Sequence, residues 1–163
     1  MTIQDFERLL REALAAELED WRPRLSPHTM RAFDLGCHPW HGYIEPSFLT
    51  LEEGGLVHGE AIWRGVGEWR LYNFLAPGSG WARVSDLERW MQDRWTRAAD
   101  HAAAAEDFLR AFASVAMSAE VVRALQSYKL SSDFQIGVID TDDPKLRNFC
   151  DDWKEVVRRH GGA

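Results

Sequence analysis

Five residues whose types can do chemistry fall between positions 34 and 45: Asp34, Cys37, His38, His41 and Glu45. Thiolate, imidazole and carboxylate are the ordinary zinc ligands, and a site needs three or four of them converging. Cys37 and His38 are chain neighbours, so on a strand they point to opposite faces and share one ion poorly. His38 and His41 converge only where the intervening turn curls them together, with Asp34 as a third ligand. That reading would make the chain a small metal-dependent hydrolase. The simpler reading is a polar hairpin tip, with Cys37 packed as a small core residue. No second ligand pair at a recognised spacing accompanies the cluster, so the simpler reading is preferred and no cofactor is expected.

Asp140, Asp142 and Asp143 form a second acidic group. Carboxylates after a strand can hold Mg²⁺ beside a phosphate, but Asp is also a standard turn and helix-capping residue. No Gly-rich phosphate loop occurs in the chain. A nucleophile elbow is absent too, and Ser79 between Gly78 and Gly80 lacks the strand–turn–helix context such a serine needs. The remaining unusual feature is aromatic: eight tryptophans in 163 residues. Trp63, Trp69, Tyr72 and Phe74 suit a core, whereas Trp40, set between Pro39 and His41, is the one expected to be exposed. An exposed Trp among polar neighbours is a typical binding anchor.

These residues need elements to position them. Ile3, Phe6, Leu10, Leu14, Leu18 and Trp21 recur at three- and four-residue spacing, which predicts an amphipathic helix. Thr2 and Asp5 suit its capping box, and Pro23 and Pro27 its stop. Between Arg31 and Leu75 the period falls to two. Phe33, Leu35 and Cys37 alternate with Asp34, Gly36 and His38, the signature of a strand with one buried face. Tyr43 to Leu51 completes a hairpin, and Pro46 puts that strand at an edge or on a bulge. After a turn at Glu52–Gly55, Ala61 to Arg64 and Glu68 to Leu75 read as two more strands. The short connections favour an antiparallel meander of about four.

From Ser85 the period is helical again. Ser85 with Glu88 resembles a capping box, and Asp100 is a candidate N-cap for a second helix, with a break near Ser118. Phe134, Ile136 and Val138 predict a strand without a polar face, suited to the sheet interior. Asp143 as N-cap and Pro144 at the first helical position predict a C-terminal helix carrying Leu146, Phe149, Cys150 and Trp153. Strands clustered before helices describe one α+β domain over residues 1–163, with helices on one sheet face.

Composition narrows the functions. The net charge is −7, from 26 acidic and 19 basic residues, and no basic face of the kind that displaces counterions from phosphate can be traced. Nucleic acid and anionic membranes are therefore not expected partners; a basic protein is easier to accommodate. No apolar run approaches the roughly 20 residues of a membrane span. The N-terminus has no secretory pattern, and Cys37 and Cys150 make no disulfide framework, so a cytoplasmic location is expected. Nothing in the composition specifies an oligomeric state.

The order of elements resembles a group of small uncharacterised bacterial α+β domains, some encoded near toxin and immunity loci. The resemblance rests on the N-terminal helix, on Arg31-Ala32-Phe33-Asp34-Leu35-Gly36 as first strand, on Trp63 through Trp69-Arg70-Leu71-Tyr72-Asn73-Phe74, and on Asp140-Thr141-Asp142-Asp143 after the final strand. It implies binding to another protein and carries over no catalytic residue. The expected function is thus a non-enzymatic protein-binding domain of immunity or accessory type, using Trp40, His38, His41 and Glu45.

Overall fold

The computed structural model describes residues 1–54, 59–75 and 84–151, without the side chains of residues 54 and 59–61. The first helix, α1, runs from Ile3 to Leu25. Thr2 and Asp5 cap it reciprocally: the Thr2 hydroxyl accepts from the Asp5 N–H at 3.1 Å, and the Asp5 carboxylate accepts from the Thr2 N–H at 2.9 Å. Phe6, Leu10, Leu14 and Leu18 are fully buried, as their spacing dictates. Pro23 does not end the helix. Its missing N–H falls in the last turn, and one further half-turn buries Leu25 before Pro27 closes the element.

Strands β1 (Met30–His38) and β2 (Tyr43–Thr50) form the expected antiparallel hairpin. The strand holding Pro46 lies at an edge, as a missing ladder donor requires. The rest of the sheet differs from expectation. Among the described residues it has three strands in the order β2-β1-β3, and the third, β3 (Leu130–Gly137), runs parallel to β1. The meander's other two strands do not form. Leu51–Gly54 is a short helix, α2, where a turn was expected, and residues Gly59–Glu68 form a 3₁₀ segment kinked at Gly65. Leu71 makes only an isolated bridge to Phe48. The reason lies in the spacing of Ile62, Trp63, Val66 and Trp69, which puts all four on one side of a helical turn. They pack as a unit across the sheet rather than alternating along it.

The helical half comprises α3 (Ser85–Thr96), α4 (His101–Ala116) and α5 (Ala119–Gln126). Asp100 caps α4 by accepting from the Ala103 N–H at 3.0 Å, and Ser118 caps α5 after the expected break. No Ser85–Glu88 capping box forms. Glu88 turns instead to the sheet, where it accepts from the Ile44 N–H at 3.3 Å. The connection through these helices is long enough to bring β3 back parallel to β1. β3 is an edge and not an interior strand. It begins before the expected apolar run and carries polar residues: Phe134 and Ile136 pack on the helical core and Gly137 lies under Trp63, while Ser132 and Asp133 are exposed.

Two apolar clusters result. The larger joins Phe6, Leu10, Phe108 and Phe112 of the helices to Phe33, Leu35, Cys37, Ile44 and Phe48 on one sheet face. The smaller covers the opposite face with Ile62, Trp63, Trp69 and Ile139 over Ala32 and Leu49. β1 is therefore buried on both sides, although its pattern suggested one. After β3 the chain turns through residues 140–147, closed by a bridge between Ile139 and Asn148. Asp143 does not cap a helix there; its carboxylate accepts from the Lys145 N–H at 2.8 Å inside the turn. Helical structure resumes only at Phe149, after Asn148, whose side chain accepts from the Cys150 N–H at 3.0 Å. The remainder of the expected C-terminal helix, Trp153 included, lies outside the described residues, as do Ser79 and Trp81.

Candidate functional site: a polar row on the second sheet face

Register places the chemistry. The pairs His38–Tyr43, Gly36–Glu45, Asp34–Ser47 and Ala32–Leu49 stand in sequence along the hairpin. Period-two alternation puts all eight positions on the face away from the main core. Burial increases along this row. Tyr43 is 54% exposed, the His38 and Glu45 side chains 21% and 12%, and Asp34 only 4%. Gly36 keeps the middle open: a Cβ there would stand 3.1 Å from the Glu45 carbonyl oxygen and 3.5 Å from His38 Nε2.

Glu45 is the hub. His38 Nε2 lies 3.2 Å from its Oε2, the Tyr72 hydroxyl donates to the same oxygen, and Asn73 Nδ2 donates to Oε1 at 3.3 Å. Burial by itself would raise the Glu45 pKa, but the bonds from His38 and Tyr72, together with the nearby imidazoles, outweigh it and hold the carboxylate below its usual range. Burial pushes the Tyr72 phenol up, and its bond to Glu45 adds to this, so it stays a donor. Asn73 is fixed from beneath: its N–H donates to Ser47 Oγ at 2.9 Å, and its φ of 40° lies in the left-handed region that Asn tolerates.

Asp34 ends the row. Its carboxyl accepts from the Ile139 N–H, while Oδ1 is buried with no hydrogen-bond partner among the described residues. Burial raises its pKa to about 8; the Ile139 bond opposes this and the charge of Glu45 adds to it. Asn73 Oδ1 is likewise buried without a partner among those residues. Behind the strand, burial pushes the Cys37 thiol well up, and the charges of Asp34 and Asp140 add to the effect. Cys37 is thus a buried core thiol, and Cys150 is buried as well, with neither in a disulfide.

The turn at the open end carries a chain of rings. Trp40 stands edge-on to His38 with centroids 5.7 Å apart, His41 lies 6.2 Å from Trp40, and Tyr43 lies 5.7 Å from His41. Gly42 supports the turn at φ 68°, where a Cβ would come within 3.1 Å of Gln92 Cβ and of the Glu88 carbonyl oxygen on α3. Trp40 is half-buried rather than the exposed tip, because this packing on α3 draws the turn inward; His41 and Tyr43 are the exposed members.

Of the residues named from sequence, His38, Glu45 and Asp34 share the row, and Trp40 and His41 flank its mouth. Among the described residues no three His, Cys, Asp or Glu side chains are grouped to hold a metal ion. The Asp140–Asp143 group forms its own turn, with Asp140 Oδ1 accepting from the Asp142 N–H at 3.0 Å. Sequence reasoning missed Tyr72 and Asn73, which were assigned to a strand. The signal that could have found them was Asn73 itself, a turn-former inside a presumed strand.

No helix among the described residues is long and apolar enough to cross a membrane. No family model, curated protein or solved structure matches the chain.

Proposed function

We propose that this chain is a protein-binding domain of immunity or accessory type, and that it engages a basic partner through the mouth of the polar row. The observation that supports this reading most is the continuous chain of His38, Trp40, His41 and Tyr43 rings beside the Glu45 carboxylate. Aromatic anchors next to a partly desolvated charge are what binding hot spots are made of. The net charge of −7 favours encounter with a cationic surface. The partly buried bonds around Glu45 hold the patch in shape before any partner arrives, which limits the ordering penalty on binding.

The test is affinity capture from the source cell, comparing the wild-type chain with the Tyr43→Ala/His41→Ala double variant. A basic protein should be retained by the wild type and lost from the variant, with retention falling as salt rises. Truncating one anchor of this kind weakens binding by about 2 kcal/mol or more. Both side chains are exposed, so the variant's melting temperature should match that of the wild type. Capture indifferent to the two substitutions would refute the assignment of this surface.

A further inference from the structure

We propose that the cleft where α1, α3 and α4 converge is a binding site for a free aliphatic α-amino acid, held by its ammonium and carboxylate groups. The cleft shares no residue with the polar row and does not depend on the protein-binding reading.

Helical spacing builds the cleft. Ile3 and Glu7 stand one turn apart on α1, and Asp107, Ala111 and Ser114 follow one another at single-turn steps on α4, so each set lines one side. Arg94 forms the third side from the last turn of α3. The space between them is about 330 Å³. That is the small end of the roughly 300–1,000 Å³ of ligand sites, the size for an amino acid rather than a nucleotide.

Charge selects the ligand. The carboxylates of Glu7 and Asp107 and the guanidiniums of Arg94 and Arg110 line the same space. Arg110 is already paired, with Glu106 at 2.5 Å. Glu7, Asp107 and Arg94 are in no ion pair among the described residues. Opposite charges that line one cleft without closing on each other leave it with two poles. At the negative pole Glu7 is half-buried, and burial raises its pKa against the pull of Arg11, which itself lies 3.7 Å from Glu120. A carboxylate that has lost water without gaining a hydrogen bond calls for a donor. At the positive pole the Arg94 guanidinium carbon lies 5.5 Å over the Trp90 ring. Trp90 is packed in turn on Phe6 and Phe108, with centroids 5.4 and 5.8 Å away. The fork is thus positioned before a ligand arrives and can take both oxygens of a carboxylate. A simple anion would meet Glu7 and Asp107, and a simple cation would meet Arg94. A molecule carrying both an ammonium and a carboxylate satisfies the two poles together. Ile3 and the buried Ala111 give its side chain an apolar patch. The half-buried Ser114 hydroxyl, which makes no hydrogen bond among the described residues, offers one more polar contact.

The probe is L-leucine, added to the isotopically labelled chain at about pH 8, well above the ordinary carboxylate range. The Ala111 and Ser114 N–H signals are followed by NMR, and both should shift saturably at millimolar concentration. Isocaproate lacks the ammonium and isoamylamine lacks the carboxylate. Each should bind about tenfold more weakly or worse, the loss expected for a hydrogen bond between charged groups. Arg94→Met keeps a stem over Trp90 and removes the fork. It should weaken leucine about tenfold and leave isoamylamine unchanged, whereas Glu7→Gln should weaken leucine equally and leave isocaproate unchanged. Arg94 is exposed and glutamine keeps the shape of Glu7, so both variants should melt with the wild type. Absence of a saturable shift with L-leucine in the wild-type chain would overturn the proposal. So would equal binding of either single-charge analogue, or variants that fail to show this crossed pattern.

Discussion

Replacing Asp34 by asparagine should make the domain's stability less dependent on pH, and the structure gives both the sign and the size. In the folded chain the Asp34 carboxyl is raised from 3.8 to about 8 by burial. A raised carboxyl keeps its proton in the folded state over an interval in which the unfolded chain has lost it. The folded state therefore binds more protons between about pH 4 and about pH 8, and stability falls as pH rises through that window. One full proton corresponds to about 1.4 kcal/mol per pH unit, so the wild-type chain should lose up to about 3 kcal/mol between about pH 5 and pH 7 from this group. The amide introduced by Asp34→Asn cannot titrate and resembles the protonated acid in shape. The groups around it, Glu45, Tyr72, Asp140 and Cys37 with the imidazoles of His38 and His41, stay in both proteins. The difference between the two stability curves therefore isolates Asp34. Urea titrations at intervals across this range provide the assay. The variant should match the wild type below about pH 4 and exceed it increasingly toward pH 8. Curves that stay parallel across the window would show that Asp34 is ionised throughout, and the account of its burial would be wrong.

Two further substitutions test how the row is supported. A Cβ at Gly137 would stand 2.7 Å from the Trp63 ring, itself packed 6.0 Å from Trp69. Gly137→Ala should therefore destabilise the fold by about 1–3 kcal/mol and alter the near-ultraviolet circular dichroism of the tryptophans; unchanged denaturation and spectrum would contradict the packing of Trp63 on β3. Asp100→Ala removes the cap of α4. It should lower stability by about 1 kcal/mol in thermal melts; an unchanged melting temperature would contradict the cap's contribution.

Much of the architecture was legible in single segments. The α1 stripe, its capping box, the β1–β2 hairpin, the edge position forced by Pro46, and the caps at Asp100 and Ser118 all depend on residues a few positions apart, where local chemistry decides the outcome. Expectation failed where local signals competed. Trp63 and Trp69 fit a strand by residue type and a helical turn by spacing, and packing over Gly137 favoured the turn. Asp143 and Pro144 fit a helix start, but the turn that bridges Ile139 to Asn148 took them first.

The candidate site divides along the same line. His38, Asp34 and Glu45 were identifiable from sequence because a hairpin register of period two puts them on one face. That Asp34 would be sealed with an orphaned oxygen depended on the smaller cluster, which covers the second face of β1 from segments far away in the chain. Tyr72 and Asn73 reach Glu45 across 27 and 28 positions. Pattern and turn chemistry determine which residues can share a face, because they act over a few residues. Which of them lose their water, and with whom, was decided only by the tertiary packing, because desolvation is a property of everything that closes over a group.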